Sequence, residues 1–399
     1  MFMLKHLLSH PLVLLLTLSA CQSDNAQSDT PAGQTPDVLY ASEAKATTPT
    51  TTSKALGFPV KLHKGFEINV YHDDVPAARS LKVAPDGTVF VSTRKSDKVY
   101  ALRDTDKDGR ADEKYTIASG MDTPNGIAFK DGDLYIAEIS RISVIRNVLS
   151  QLDNPPAPEL LYDGLPTDAH HGWKFIAFGP DGYLYVPVGA PCNICNPEDS
   201  VFASILRMNP DGSERMVYAH GVRNTVGFDW HPQTRELWFT DNGRDWMGDD
   251  EPPCELNYAP EPGMHFGYPF CHGADVKDPE FGEGKDCADY TKPVVAMYAH
   301  TAPLGMRFYT GSSFPEKYQN AVFVAQHGSW NRSTPIGYRV MVAYLDENGH
   351  ATGWEPFVEG FLDGREKLGR PVDVCVLEDG SLLISDDMSG KVYRVSYTG

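Results

Sequence analysis

The chain has 399 residues, 41% of them apolar and 11% aromatic, enough for a large core and too rich in big side chains for a disordered or collagenous protein. Its 54 acidic and 35 basic side chains give a formal charge of −19, which argues against nucleic acid or an anionic membrane surface as a partner.

The opening MFMLKHLLSHPLVLLLTLSAC has a Lys-bearing start, an apolar stretch from Pro11 to Leu18, and the ending Leu18-Ser19-Ala20-Cys21. The apolar stretch is too short to span a bilayer and reads as a secretory signal over residues 1–20. Its ending resembles a bacterial lipoprotein box. That resemblance implies lipidation of Cys21 and a periplasmic or cell-envelope protein held to the membrane, such as the outer membrane, by its lipid alone. Residues 21–54 are Ser, Thr, Ala, Gln, Asp and Pro with few large apolar side chains, and are expected to be a disordered tether. Residues 55–399 form the folded domain.

Such a compartment permits disulfides, and the remaining cysteines are read accordingly. Cys192 with Cys195 and Cys271 with Cys287 are the expected local pairs, while Cys254 and Cys375 either pair with each other or stay free. Zinc is the competing reading of the Cys192 to Cys195 stretch, but no second pair at matching spacing accompanies it.

Within the folded domain a single hairpin recurs. It is seen in LKVAPDGTVFVST from Leu81, GIAFKDGDLYIAE from Gly126, FIAFGPDGYLYVPVG from Phe175 and VGFDWHPQTRELWFTDNG from Val226, with looser copies from Gly305 and Val372. Each joins two apolar strands through a polar turn. Six strand-built repeats with almost no helical periodicity predict a six-bladed β-propeller with four-stranded antiparallel blades. A β-sandwich leaves six equivalent hairpins unexplained. Between the first and second hairpins, DTDKDGRAD (Asp104 to Asp112) spaces its acids like a calcium loop, but Tyr115 stands where the bidentate Glu belongs. A solvated turn is the competing reading.

A hairpin reverses the chain, so the residues before its first strand and after its second share one rim, and in a propeller those rims converge on the axis. Before the inner strands stand Arg79, Asn125, His171, Arg223, Asn224, His300, Thr301 and Arg370. After the second strands stand Arg94, Glu138, the Pro191-Cys192 turn, Asn242, Arg244, His327, Arg332, Asp386 and Asp387. Cations and histidines gathered at one channel mouth of a strongly acidic chain suit a polyanionic ligand.

The segment HGVRNTVGFDWHPQTRELWFTDNGRDWMGDDEPPCELN (His220 to Asn257) resembles the glucose/sorbosone dehydrogenase family, the soluble quinoproteins that use pyrroloquinoline quinone (PQQ). HHGWKFIAFGPDG, PNGIAF at Pro124, FVAQHGSWNR at Phe323 and GRPVDV at Gly369 share the likeness. It implies a PQQ-dependent sugar dehydrogenase acting on an aldose or related sugar, with a cytochrome or the quinone pool as electron acceptor. The family's catalytic histidine stands eight residues before the first Gly of its Gly-Pro-Asp turn, as His171 precedes Gly179 here. By that likeness His171 takes the hydroxyl proton as hydride leaves the same sugar carbon, and His170 points elsewhere. Arg223 steadies the charge developing on the quinone, with Asn224 beside it.

Further expectations follow from the same likeness. Arg370 binds a cofactor carboxylate, while His327 and Arg332 stand where the glucose enzymes place a lysine and His300 stands near an expected threonine. A second paired arginine is absent, Val372 being in its place. Calcium takes carbonyls of Asn242, Gly243 and Arg244, and a second, structural ion uses Asp249, Asp250 or Glu255. Two other readings of the propeller remain open: a calcium-dependent lactonase, which would have few cations at the mouth, and a sugar-binding propeller that has lost its cofactor.

Overall fold

Three of the repeat's polar turns, the first, third and sixth, are each held by an aspartate of their own. In the first, Asp86 accepts from the backbone N–H of Thr88 at 3.0 Å, and Gly87 takes φ +86°. In the third, Asp181 accepts from Tyr183 N–H at 3.2 Å and Gly182 takes φ +85°. The side chain satisfies the turn and glycine supplies the left-handed residue that a bulkier one resists.

The computed structural model describes residues 37–42 and 47–399. The signal segment, Cys21 and the first stretch of the tether lie outside the described residues. Six antiparallel sheets form the six blades of a β-propeller, and the six hairpins are their inner strand pairs. The first blade runs Ala78–Val83, Val89–Thr93, Val99–Arg103 and Glu113–Ala118; the second runs Gly126–Lys130, Asp133–Ala137, Ile142–Ile145 and Glu159–Tyr162. The third comprises Ala177–Phe178, Leu184–Val188, Ser204–Met208 and Met216–His220, with Met264–His265 added in parallel outside. The fourth comprises Phe228–Trp230, Leu237–Asp241, Cys254–Ala259 and Val295–Met297; an insertion carrying the Cys271–Cys287 disulfide separates its last two strands. The fifth is Pro303–Phe308, Val322–Gln326, Arg339–Leu345 and Ala351–Glu359. The sixth takes Pro371–Val376, Leu382–Asp386 and Lys391–Tyr397 from the end of the chain and its outer strand, Phe66–His72, from the beginning.

The core is divided among the blade interfaces. Side chains alternate across a strand, so Phe90 packs with Ile127 and Leu134 of the second blade, while Val89 and Val91 pack with Leu383 and Val392 of the sixth. The same division places Trp238 against the fifth blade and Phe239 against the third. Both faces of the second strands are therefore buried, which is why LYVPV is apolar throughout and VFVAQ is apolar up to its last residue, Gln326.

The expected tether contributes strands before its expected end at residue 54. Leu39–Tyr40 pairs in parallel with Val295 and Ala296 on the edge of the fourth blade, and Thr50–Ser53 pairs with Val60–His63 on the fifth. An edge strand is held by backbone hydrogen bonds and needs little apolar surface, so a threonine run that cannot build a core can still extend a sheet. Cys192–Cys195 and Cys271–Cys287 are bonded as expected, whereas Cys254 and Cys375 are buried in different interfaces and unpaired.

Phe66 begins the strand that closes the ring and contacts Phe314, Tyr318, Phe357 and Tyr397 with ring centroids between 4.7 and 5.2 Å. Phe66→Ala is expected to lower unfolding free energy by about 3–5 kcal/mol, read from urea denaturation.

Candidate active site

At one mouth of the channel lies a cavity of about 530 Å³. Arg79, Arg94, His171, Arg223, Asn224, Asn242, Gly243, His300, His327 and Arg370 all line it, so the predicted convergence of the hairpin ends is what the fold produces. Four arginines and one carboxylate, Asp245, are among the lining residues. Val226, Leu304 and Val372 pack together with Trp173 as an apolar floor; Val372, which replaces an arginine expected from the family pattern, belongs to that plug.

His171 lies in the turn six residues before its strand Ala177–Phe178, with φ +49°. Its Nδ1 lies 2.9 Å from the carbonyl oxygen of Ala190, two residues past the paired strand Leu184–Val188. A carbonyl only accepts, so Nδ1 carries the proton and Nε2 keeps its lone pair. Burial, then the charge of Arg223 and then His170, push the imidazole far below the usual histidine range. A Cβ on Gly189 would come within 2.5 Å of His171 Cβ and 3.3 Å of the Arg223 carbonyl, so glycine there allows both loops to close on each other. His170 also lines the cavity, its ring edge-on to His171 at 4.1 Å.

Arg223 is almost fully buried and is held from three sides. Its Nε donates to the Asn193 carbonyl at 2.8 Å, one Nη to the Asn193 side-chain oxygen at 2.9 Å and the other to the Asn242 carbonyl at 3.1 Å; the Asp245 carboxylate lies 3.5 Å away. The backbone beneath is organised by Asp241, whose carboxylate accepts from the N–H groups of Arg223, Asn224 and Asn242 at 2.8, 2.7 and 2.8 Å. Burial raises the Asp241 carboxyl against these donors. Directly across the sheet, burial and the Asp241 charge raise Glu255.

On the opposite wall, Asp387 joins His327 Nε2 at 2.9 Å to Arg79 at 3.0 Å, and Arg370 donates to His327 Nδ1 at 2.8 Å. His327 is lowered to about 4, by burial first, against the Asp387 hydrogen bond. Burial pushes the Asp387 carboxyl up, but the His327 hydrogen bond and the charges around it outweigh that and hold it well below the usual range. Arg94 lies over the Trp173 ring at 3.6 Å. Among the described residues the Asn224 side chain has no hydrogen bond, and the buried Nε of Arg370 and Nε1 of Trp173 are also without partners. These are polar groups available to a ligand.

Other candidates lie elsewhere. Arg332 leaves the cavity to bind the Asp249 carbonyl and, at 3.0 Å, the Asp250 carboxylate. Arg244 turns its side chain to Asp278 and Glu280 of the insertion at 2.7 and 2.8 Å. Asp249 accepts from Ser333 N–H at 2.8 Å, Asp250 is 85% exposed in its pair with Arg332, and Glu255 accepts from Gly273 and Asn257 at 2.6 and 2.9 Å. The residues are thus tied into separate contacts. Among the described residues the acids that converge closely enough for one ion are Asp104, Asp106 and Asp108, while Asp112 caps Thr105 instead. Asn193 and Asp241 escaped the sequence reading: Asn193 was hidden between two cysteines, and Asp241 looked like an ordinary strand end.

The propeller fold is shared with proteins of known structure and sequence. Residues 207–398 match the TrAA12-like family. A protein of Borreliella burgdorferi with no characterised function is 33% identical over 364 residues, covering 87% of this chain and 93% of its own. A pyrroloquinoline quinone-dependent pyranose dehydrogenase of Coprinopsis cinerea is 32% identical over 129 residues, which span 27% of this chain and 17% of that enzyme. The holo PQQ domain of Coprinopsis cinerea pyranose dehydrogenase superposes with a TM-score of 0.73 at 19% identity, covering 90% of this chain and all of that one. The PQQ-bound aldose sugar dehydrogenase of Streptomyces coelicolor superposes with a TM-score of 0.60 at 21% identity, covering 84% and 99%. Residues 207–398 thus carry the pattern of the TrAA12-like family, and along most of its length the chain shares its propeller fold with sugar dehydrogenases of known structure.

Asp241→Ala would leave three buried N–H groups without an acceptor, and is expected to cost about 3 kcal/mol or more in urea denaturation.

Proposed function

We propose that this protein is a PQQ-dependent sugar dehydrogenase with His171 as its base. The observation that carries the reading is a neutral imidazole whose Nε2 is left free beside a clamped arginine, in a cavity lined by four arginines and one carboxylate. The donor set fits the cofactor: its three carboxylates match Arg79, Arg94 and Arg370 with His327, and the unpartnered Asn224 amide adds a polar contact. Bound there, PQQ supplies an electrophilic quinone that accepts two electrons from the sugar carbon. Calcium would rest on the carbonyls of Gly243 and Arg244, which accept no hydrogen bond among the described residues, and of Asn242, which already takes one from Arg223.

The side chains then divide the work. His171 Nε2 takes the proton of the sugar hydroxyl, while its Nδ1–H remains on Ala190 and holds the ring in place. Arg223 keeps a fixed positive charge near the reaction, because Asn193 and Asn242 hold its guanidinium and it does not release its proton. The apolar floor and the indole of Trp173 exclude water beneath the reacting groups. The reading requires a cytochrome or the quinone pool as acceptor and, through the proposed Cys21 anchor, a place in the cell envelope.

Two measurements test it. Protein reconstituted with PQQ and Ca²⁺ should reduce a dye with a panel of aldoses; His171→Ala should lower kcat by about 10²–10⁴-fold while the variant still binds PQQ. No PQQ binding and no dye reduction by the parent would overturn the proposal. Because the environment disfavours protonated His171, more acid is needed to disable the base, and the acidic limb of kcat/KM should fall below pH 6.5. A limb at or above pH 6.5 would contradict the assignment.

A further inference from the structure

Two of the most exposed large side chains stand together at the mouth of the cavity. Trp246 is 68% exposed and Trp330 62%, with ring centroids 5.3 Å apart and planes at 82°. Trp330 lines the cavity itself. Neither indole takes part in an interface between blades, so their packing contributes nothing to closing the propeller. Trp246 also adopts φ +73°, a left-handed conformation that glycine takes with least strain.

That arrangement is enforced from outside the indoles. Asn193, which clamps Arg223, also bonds the backbone of Asp245: its side-chain oxygen accepts from Asp245 N–H at 2.8 Å and its Nδ2 donates to the Asp245 carbonyl at 3.1 Å. Asn331 Nδ2 donates to the Asp245 carboxylate at 3.2 Å. Arg332 reaches the Asp249 carbonyl and Asp250, and Ser333 N–H donates to Asp249. The turn carrying Trp246 is thus bound to the turn carrying Trp330 and to the support of Arg223.

We infer that Trp246 and Trp330 form a stacking platform for a second sugar ring, so that the substrate is the terminal unit of an oligosaccharide. This rests on the sugar-dehydrogenase reading above. An edge-to-face pair leaves an indole face open, and a pyranose offers a C–H face to lie on it while its hydroxyls point to the rim. Charged and amide groups of Asp245, Asp250, Asn331 and Arg332 frame the two rings, which suits a ligand with one apolar face and polar edges. A protein partner needs about 800 Å² on each side, far more than two indoles provide.

The test is calorimetric titration of the full chain, without cofactor, against glucose, xylose and N-acetylglucosamine and against their β-1,4-linked hexasaccharides. At least one hexasaccharide should bind about tenfold or more tightly than its monosaccharide, and Trp246→Ala and Trp330→Ala should each erase most of that difference. Circular dichroism and thermal melting verify that both variants fold. Equal binding of hexasaccharides and monosaccharides, or an advantage that survives both substitutions, overturns the platform. Dye reduction by reconstituted protein is scored separately, so failure of the dehydrogenase reading is distinguishable from failure of this one.

Discussion

Pairing of Phe66–His72 with Lys391–Tyr397 ties the beginning of the folded chain to its end, and the geometry of the cavity depends on that closure. Each blade buries its two faces against two neighbours, so an open ring would leave the flanks of the first and sixth blades without partners. Closure also sets the distance across the axis. Arg79 of the first blade and His327 of the fifth meet on Asp387 of the sixth only because the ring is complete.

Charge is distributed against the character of the whole protein. A chain with a net charge of −19 presents four arginines to its central cavity, and desolvating them has to be offset locally. Asp387 does so for Arg79, and Asp245 with carbonyl oxygens does so for Arg223. Arg94 has an aromatic face instead of a carboxylate, and the Nε of Arg370 is left without a partner. These arginines are incompletely neutralised by the protein, which leaves attraction available for a polyanion.

Much of this was legible in the sequence because it rests on local rules. The Pro-Asp-Gly turns and the apolar second strands mark the hairpins, and the ends of a hairpin must share a rim. His171, Arg223, Asn224, Asn242, His300, His327 and Arg370 could therefore be grouped from their places alone. Arg332 occupies an equivalent place, yet its long side chain swings to Asp249 and Asp250, a choice made by a neighbouring blade's loop. Asn193 was invisible because its importance lies in partners 30 and 52 residues away. Thr50–Ser53 has no apolar pattern to betray a strand, since the sheet edge it joins asks only for backbone groups.

His171, His300 and Trp246 all hold left-handed backbone conformations around one cavity. Glycine would relieve the backbone at each of them, but it would also loosen the unfolded chain and remove the contacts of His171 with Ala190 and of His300 with Gly248. The left-handed backbone at these three positions is therefore held in place by the same side chains that face the cavity mouth, so strain and site persist or vanish together.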